Sequence, residues 1–314
     1  MRSSTRPTRR NKPIVFLFGP TASGKTALVE RLFNKGYQIV NADSVQVYRY
    51  LDVGSAKPSH DLMRRIPHHL VDILDPWQQF SVGQFIEKAD EAVERIWDDG
   101  DIPLVTGGTA YYFRHFLYGL SQAPKVDAQV RSRVADELRR TGAQAMHGKL
   151  CSVDPVSGAR IDVHDVYRIT RALEVYYQSG RPLSSFTLPH EPRFGMRPLI
   201  LEIVRDKEQL HERIRQRIAQ MFADGLVDEI RSLRRMHASL EWPGIGGIGY
   251  VEFFHAFDEG CLPLSAIAAQ IERNTKAYAK RQMTFFRSFS DSIRIDADDI
   301  EGVRTVVEDY LSTF

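Results

Sequence analysis

Gly19-Pro20-Thr21-Ala22-Ser23-Gly24-Lys25-Thr26 decides how the rest of this 314-residue chain is read. The apolar run Ile14-Val15-Phe16-Leu17-Phe18 leads in, and Leu28, Val29, Leu32 and Phe33 follow at helical spacing. Glycine, four spacers, glycine, lysine and a hydroxyl residue cradle phosphate when a strand runs in and a helix runs out. Glycine lets consecutive N–H groups face one anion, the helix start presents its positive end, and Lys25 adds a full charge. Residues 19 to 26 are expected to hold a di- or triphosphate.

Working outward, Gly36 stops the helix and Gln38-Ile39-Val40-Asn41 forms a second strand ending at Ala42-Asp43-Ser44. Strand, helix, strand implies a parallel α/β sheet, whose ligands sit at the carboxyl ends of strands. Asp43 is thereby expected beside the phosphate loop; capping of the next segment is the alternative, and position alone does not decide. Gly54 to Pro58 and Ile66 to Leu70 are loop-like. The adjacent His68 and His69 point apart on any regular element, and no Cys or carboxylate cluster completes a metal site with them. Phe85, Ile86, Ala89, Val93 and Ile96 mark an amphipathic helix ended by Asp98-Asp99-Gly100. Strand Ile102 to Thr106 then runs into Gly107-Gly108-Thr109, either a close backbone approach or a plain tight turn.

From about Lys125 to Arg193 the alternation gives way to prolines and short helical patterns, with eleven Lys or Arg against eight acids. The clearest helix starts near Asp165, with Val166, Ile169, Leu173 and Tyr176 inward and Arg168 and Arg171 opposite. Strand character returns at Leu199 to Val204. The following helix buries Leu210, Ile214, Ile218 and Met221, leaving Arg213 and Arg217 on one flank, where they grip a phosphate or pair with Glu212 or Asp206. Pro243 to Tyr250 is glycine-rich but lacks the strand–turn–helix setting of a second nucleotide loop. A final helix, Ser265 to Arg287, carries Arg273, Lys276, Lys280 and Arg287 on a stripe beside Tyr278, Phe285 and Phe286, which suits a nucleic-acid backbone or a solvated face.

The hydrophobic fraction of 43% and charged fraction of 26% are those of a globular protein, and no apolar run is long enough to cross a bilayer. The two cysteines, Cys151 and Cys261, lack metal or redox spacing, which suits a reducing cytoplasm. A net charge of +2 neither demands nor forbids nucleic acid. Residues 1–12 carry five basic residues and no acid, the composition of a disordered basic tail. The expected fold class is α/β: a P-loop NTPase-like parallel core over 13–124 and 194–314, with a mainly helical insertion over 125–193.

Val105-Thr106-Gly107-Gly108 offers no carboxylate to hold magnesium as a typical ATP hydrolase does; the first acid after a strand is Asp43. That arrangement fits a small-molecule kinase, or any transfer in which an acid activates a nucleophile facing a pyrophosphate leaving group, and a nucleotide-gated RNA-binding protein would need neither.

The succession Gly-Pro-Thr-Ala-Ser-Gly-Lys-Thr from 19, Asn-Ala-Asp-Ser-Val-Gln-Val-Tyr from 41 and Gly54-Ser55-Ala56-Lys57-Pro58 resembles the bacterial tRNA dimethylallyltransferases, or isopentenyltransferases. Pro67-His68-His69-Leu70-Val71-Asp72, Gly107-Gly108-Thr109, Arg168 to Tyr176, Ile248-Gly249-Tyr250 and Tyr278 to Arg287 extend it over nearly all of residues 13 to 287. The resemblance implies transfer of a dimethylallyl group from dimethylallyl diphosphate to the exocyclic amine of the adenine 3′ of the anticodon in tRNA. It implies that Gly19, Pro20, Thr21, Ala22, Ser23, Gly24, Lys25 and Thr26 cradle the donor's diphosphate with Arg213 and Arg217. Thr26 would hold Mg2+, Asp43 would act as base, and Lys25 and Thr109 would serve at the reacting centre. Asp43, Ser44, Val45, Gln46, Thr109, Arg131, Tyr167, Arg168, Ile169, Thr170, Arg171, Gly246, Gly247, Ile248, Gly249, Tyr250 and Val251 would contact tRNA. Many relatives carry Arg or Lys around the Gly-Tyr pair where this chain has Gly246, Gly247 and Val251. The expected partners are tRNA and dimethylallyl diphosphate, with no membrane, for a cytoplasmic monomer.

Overall fold

The computed structural model describes residues 12–193, 197–258, 260, 262–289 and 291–314. The basic tail expected at 1–12 lies, but for Lys12, outside them. The strands are β1 (Val15–Phe18), β2 (Tyr37–Asn41), β3 (His68–His69), β4 (Ile102–Thr106), β5 (Leu199–Ile203) and β6 (Ile293–Ile295). The helices are α1 (Lys25–Leu32), α2 (His60–Arg65), α3 (Val82–Asp98), α4 (Ala110–Tyr118), α5 (Ala128–Val153) and α6 (Pro155–Arg160). They continue as α7 (Val166–Ser179), α8 (Lys207–Ala223), α9 (Leu226–Arg235), α10 (Val251–Asp258), α11 (Leu264–Phe286) and α12 (Ile300–Leu311).

The six strands form one parallel sheet in the order β3-β2-β4-β1-β5-β6. All four residues of β1 are buried, and such continuous apolar strands belong to a sheet covered on both faces. From β1 the chain crosses over β4 to β2 and only later returns to β1's other side with β5. Strand order reverses there, and a parallel sheet opens its ligand crevice at such a reversal.

His68–His69, which looked loop-like in sequence, is an edge strand instead. Two residues are too short for a periodic signal. Ile39 N donates to Pro67 O at 2.8 Å and draws the segment onto β2. The imidazoles are occupied, His68 Nδ1 lying 2.6 Å from Ile66 O and His69 Nε2 2.8 Å from Gln38 Oε1. Burial lowers the pKa of both.

The chain divides into two compact units, one of residues 1–117 and 192–314 and the other of Tyr118–Glu191. The second is a helical unit closed by its own core of Val134, Met146, Leu150, Ile169, Ala172 and Leu173. Within it α7 starts where Asp165 accepts from Arg168 N at 3.1 Å and stops at Gly180, φ 69°. Its buried stripe is Ile169, Ala172, Leu173 and Val175; Val166 and Tyr176, expected inward, are half-buried because α5 covers the Ile169–Leu173 side.

Candidate active site

The phosphate loop leaves β1 and turns through Ala22 (φ 63°) and Gly24 (φ 109°), the left-handed region that a glycine enters at little cost. Lys25 Nζ lies across its own loop, donating to Gly19 O at 2.8 Å and Pro20 O at 2.9 Å. Burial, then the neighbouring charge of Arg217, pushes the Lys25 ammonium down to about 7, against the pull of Asp43.

Three arginines border this loop. Arg213 Nε donates to Ala22 O at 2.8 Å, Arg205 Nε to Ser23 O at 3.0 Å, and Arg217 Nη2 to Ser55 O at 3.3 Å. Burial lowers the Arg217 pKa, and Asp43 opposes that. The sequence left Arg213 and Arg217 between phosphate and ordinary pairing. Glu212 instead takes Arg215 and Gln216, and Asp206 caps α8. Arg205 also reaches Asp298 at 2.8 Å, yet its Nη2 is buried without a partner, as is Ser23 Oγ, among the described residues.

Asp43 follows β2 at the same sheet edge, and both readings of it hold, one for each oxygen. Oδ1 accepts from Val45 N at 2.9 Å and Gln46 N at 3.3 Å, capping the turn. Oδ2 lies against Gly108, where an added Cβ would stand 2.8 Å away. Gly107 is needed for a different reason. A Cβ there would meet the Ala42 backbone at 2.4 Å, so only glycine lets the loop after β4 reach the end of β2. Thr109 is fixed to the same turn, its Oγ1 accepting from Ser44 N at 2.9 Å and meeting Ser44 Oγ at 3.1 Å.

Two residues of α11 complete the site: the sequence placed Tyr278 only beside a basic stripe and did not single out Gln282. Gln282, buried, accepts from Thr21 N at 2.9 Å through Oε1 and donates to Gly108 O at 2.6 Å through Nε2. Tyr278 OH donates to the same carbonyl at 2.8 Å, and burial raises its pKa well above the usual tyrosine range. One side chain therefore ties the phosphate loop to the Gly107–Thr109 loop. Phe286 on the same helix is not an RNA-facing aromatic as expected; it is buried and stacks on Phe18 at 4.4 Å. On the basic stripe, Lys276 pairs with Glu272 and Arg273 bonds Gln270.

The loops enclose a pocket lined by Thr21, Lys25, Thr26, Asp43, Gln46, Gly107, Gly108, Arg217 and Tyr278, with Val29, Ile39, Ala56, Pro58 and Leu62 as an apolar wall. The expected RNA-contacting residues are scattered. Gln46 lines the pocket, and Val45 packs against Gly247, where a Cβ would lie 2.9 Å from Val45 Cγ2. Gly246 is exposed, while Ile248 and Val251 are half-buried. Tyr250 and Gly249, expected at the RNA, are enclosed by protein instead. Tyr250 is fully buried with its hydroxyl between Glu229 and Ser55 N, and Gly249 is buried with its N–H on Glu252. Within the second unit Arg131, Tyr167 and Arg168 are exposed and Thr170 and Arg171 half-buried, whereas Ile169 is core and inaccessible. Arg168 pairs with Asp165 and Arg171 with Glu174. No described helix is long and apolar enough to cross a membrane.

The IPP transferase family model matches residues 46–289, and an isopentenyl transferase model matches 12–72. A tRNA dimethylallyltransferase of Geobacter sulfurreducens is 41% identical over 278 residues, covering 87% of this chain and 88% of that one. A second, from Geobacter metallireducens, is 42% identical over 287 residues and covers 90% and 92%. The full-length tRNA isopentenylpyrophosphate transferase of Bacillus halodurans superposes with a TM-score of 0.67 at 29% identity, over 96% of this chain and 97% of that one.

Proposed function

This chain belongs to the IPP transferase family, and on that premise we propose the reaction carried out in its pocket. A dimethylallyl group passes from dimethylallyl diphosphate to the exocyclic amine of the adenine 3′ of the anticodon in tRNA, and diphosphate leaves. The amine nitrogen forms a bond to the terminal allylic carbon while the carbon–oxygen bond breaks, its electron pair going out with the diphosphate. The amine's proton goes to Asp43 Oδ2. The phosphate loop, Lys25, Arg213 and Arg217 receive the charge that grows on the leaving group, which is where preorganised cations lower the barrier most. Val29, Ile39 and Leu62 give the allylic tail an apolar wall.

What carries this reading is a single pocket that holds both the phosphate loop and the Asp43 oxygen left over from capping. A base so placed contributes about a hundred- to ten-thousandfold. Thr26, an exposed residue, lines the same pocket. Among the described residues no three His, Cys, Asp or Glu converge, so a resident metal cage is lacking. One hydroxyl plus substrate phosphates suits Mg2+, which keeps several waters and few protein ligands, and bound there it would supply further charge to the leaving oxygens. The target adenine reacts only when flipped out of the stack, at a cost of a few kcal/mol offset by contacts such as Gln46. The helical unit, with Arg131, Tyr167, Arg168 and Arg171, holds the anticodon stem–loop of a tRNA bound by a cytoplasmic monomer.

The test is transfer by purified protein from dimethylallyl diphosphate and Mg2+ to unmodified tRNA without ATP. A prenylated adenosine is the expected product; an ATP-dependent phosphorylated product would favour a kinase instead.

A further inference from the structure

Glu229 on α9 belongs to neither the phosphate loop nor the base, yet its carboxylate collects four hydrogen bonds from one short segment and its neighbour. Oε2 accepts from Asp52 N at 2.9 Å and Val53 N at 2.7 Å, and Oε1 from Gly54 N at 3.0 Å and Tyr250 OH at 2.7 Å. Tyr250 in turn accepts from Ser55 N at 3.0 Å, so four successive amides are held by two side chains. The fit leaves no slack: a Cβ on Gly54 would strike Tyr250 Cζ at 2.4 Å.

The amides of this segment face Glu229 and Tyr250, the Asp52 and Val53 carbonyls close its own turn, and the Ser55 and Ala56 carbonyls serve the pocket. Ser55 O accepts from Gln46 Nε2 at 3.2 Å and from Arg217 Nη2 at 3.3 Å, and Ala56 O accepts from Gln46 Nε2 at 3.3 Å. Gln46 and Arg217 both line the pocket, one neutral and one cationic. We propose that Glu229, with Tyr250, is a positioning residue that locks residues 52–55 so that the Ser55 and Ala56 carbonyls hold Arg217 toward the diphosphate and Gln46 toward the acceptor base. The roles of Arg217 and Gln46 rest on the transferase reading above. The clamp itself rests on the hydrogen bonds.

Glu229→Gln discriminates sharply. Either orientation of the amide turns an N–H₂ on backbone or hydroxyl donors that now face an oxygen, and the loop must move. The probe is inorganic diphosphate with Mg2+, measured by calorimetry on the full chain, in four proteins: unmodified, Glu229→Gln, Arg217→Ala and the double variant. A positioning role predicts that Glu229→Gln weakens diphosphate about tenfold alone, and by less than about twofold once Arg217 is gone. Equal factors in both backgrounds would overturn the proposal, because a residue that only stabilises the fold acts irrespective of Arg217. Tyr250→Phe keeps the ring and removes only the hydroxyl, so it guards against a misfolded Glu229 variant; it is expected to show the same coupling at smaller amplitude and faster amide exchange at 52–55. Unchanged exchange and affinity in Tyr250→Phe would also overturn the clamp. A chain that shows the coupling but transfers no prenyl group would keep the clamp and refute the transferase reading.

Discussion

Asp43→Asn separates the turn cap that Asp43 makes from the base role proposed for it. The side-chain oxygen of asparagine still accepts from Val45 N and Gln46 N, the bonds that Asp43 Oδ1 makes at 2.9 and 3.3 Å. The group beside Gly108 becomes an amide that takes no proton. Capping of this kind stabilises by about 0.5–2 kcal/mol, which Asn retains and Ala loses. The base contributes about a hundred- to ten-thousandfold, or about 2.7–5.4 kcal/mol of barrier, which both variants lose. Single-turnover transfer at saturating tRNA and dimethylallyl diphosphate, with calorimetric melting of the same samples, reads both quantities. Asp43→Asn is expected to slow transfer by at least about a hundredfold with an unchanged melting temperature, and Asp43→Ala to slow it similarly while melting a few degrees lower. An Asp43→Asn rate within about fivefold of the unmodified chain would refute the base role. Equal melting losses in the two variants would refute the cap.

Lys25 makes the site pH-sensitive. In the folded chain its proton leaves near 7, against 10.5 when unfolded, so between these values the unfolded chain binds more protons and stability rises with pH. A bound diphosphate restores the charge, so titrations at pH 8 in buffers of different ionisation enthalpy should show proton uptake on binding, and affinity should fall above pH 7; uptake that persists in Lys25→Met would sink this. Phe286→Ala should cost about 3–5 kcal/mol by denaturant unfolding, because it empties a stack on Phe18, while the KM for tRNA stays put; a raised KM without lost stability would restore the RNA-facing role. Arg205 is 7% exposed and Asp298 68%, so Asp298→Ala should cost under about 1 kcal/mol whereas Arg205→Ala, which strips Ser23 O of its donor, should cost about 1–3 kcal/mol and weaken diphosphate; equal costs would place the interaction in the ion pair.

The residues legible in sequence were those whose position is set by neighbours along the chain. The phosphate loop, β1 and α1 are one continuous stretch, and Asp43 and Thr109 are placed because each ends a strand of a parallel sheet. Gln282 was not legible, nor was the turn of Tyr278 toward Gly108 rather than toward the basic stripe. Helical periodicity shows that Gln282 shares a face with apolar residues, but not that Thr21 N and Gly108 O wait opposite. Tyr250 and Ile169 matched a motif expected to touch RNA, and only packing shows them enclosed, one by the 52–55 segment and the other by α5. Glu229 gave no signal at all. Three of its four partners are backbone amides some 175 residues away in the chain, and amides carry no sequence.

On the proposed reaction the phosphate loop holds the leaving group of an allylic donor whose carbon ends on tRNA. Mass spectrometry of nucleosides from tRNA made in cells with and without this chain tests it most directly. A dimethylallyl-bearing adenosine from the position 3′ of the anticodon is expected in the first sample and not in the second. The same unmodified adenosine in both samples would contradict it.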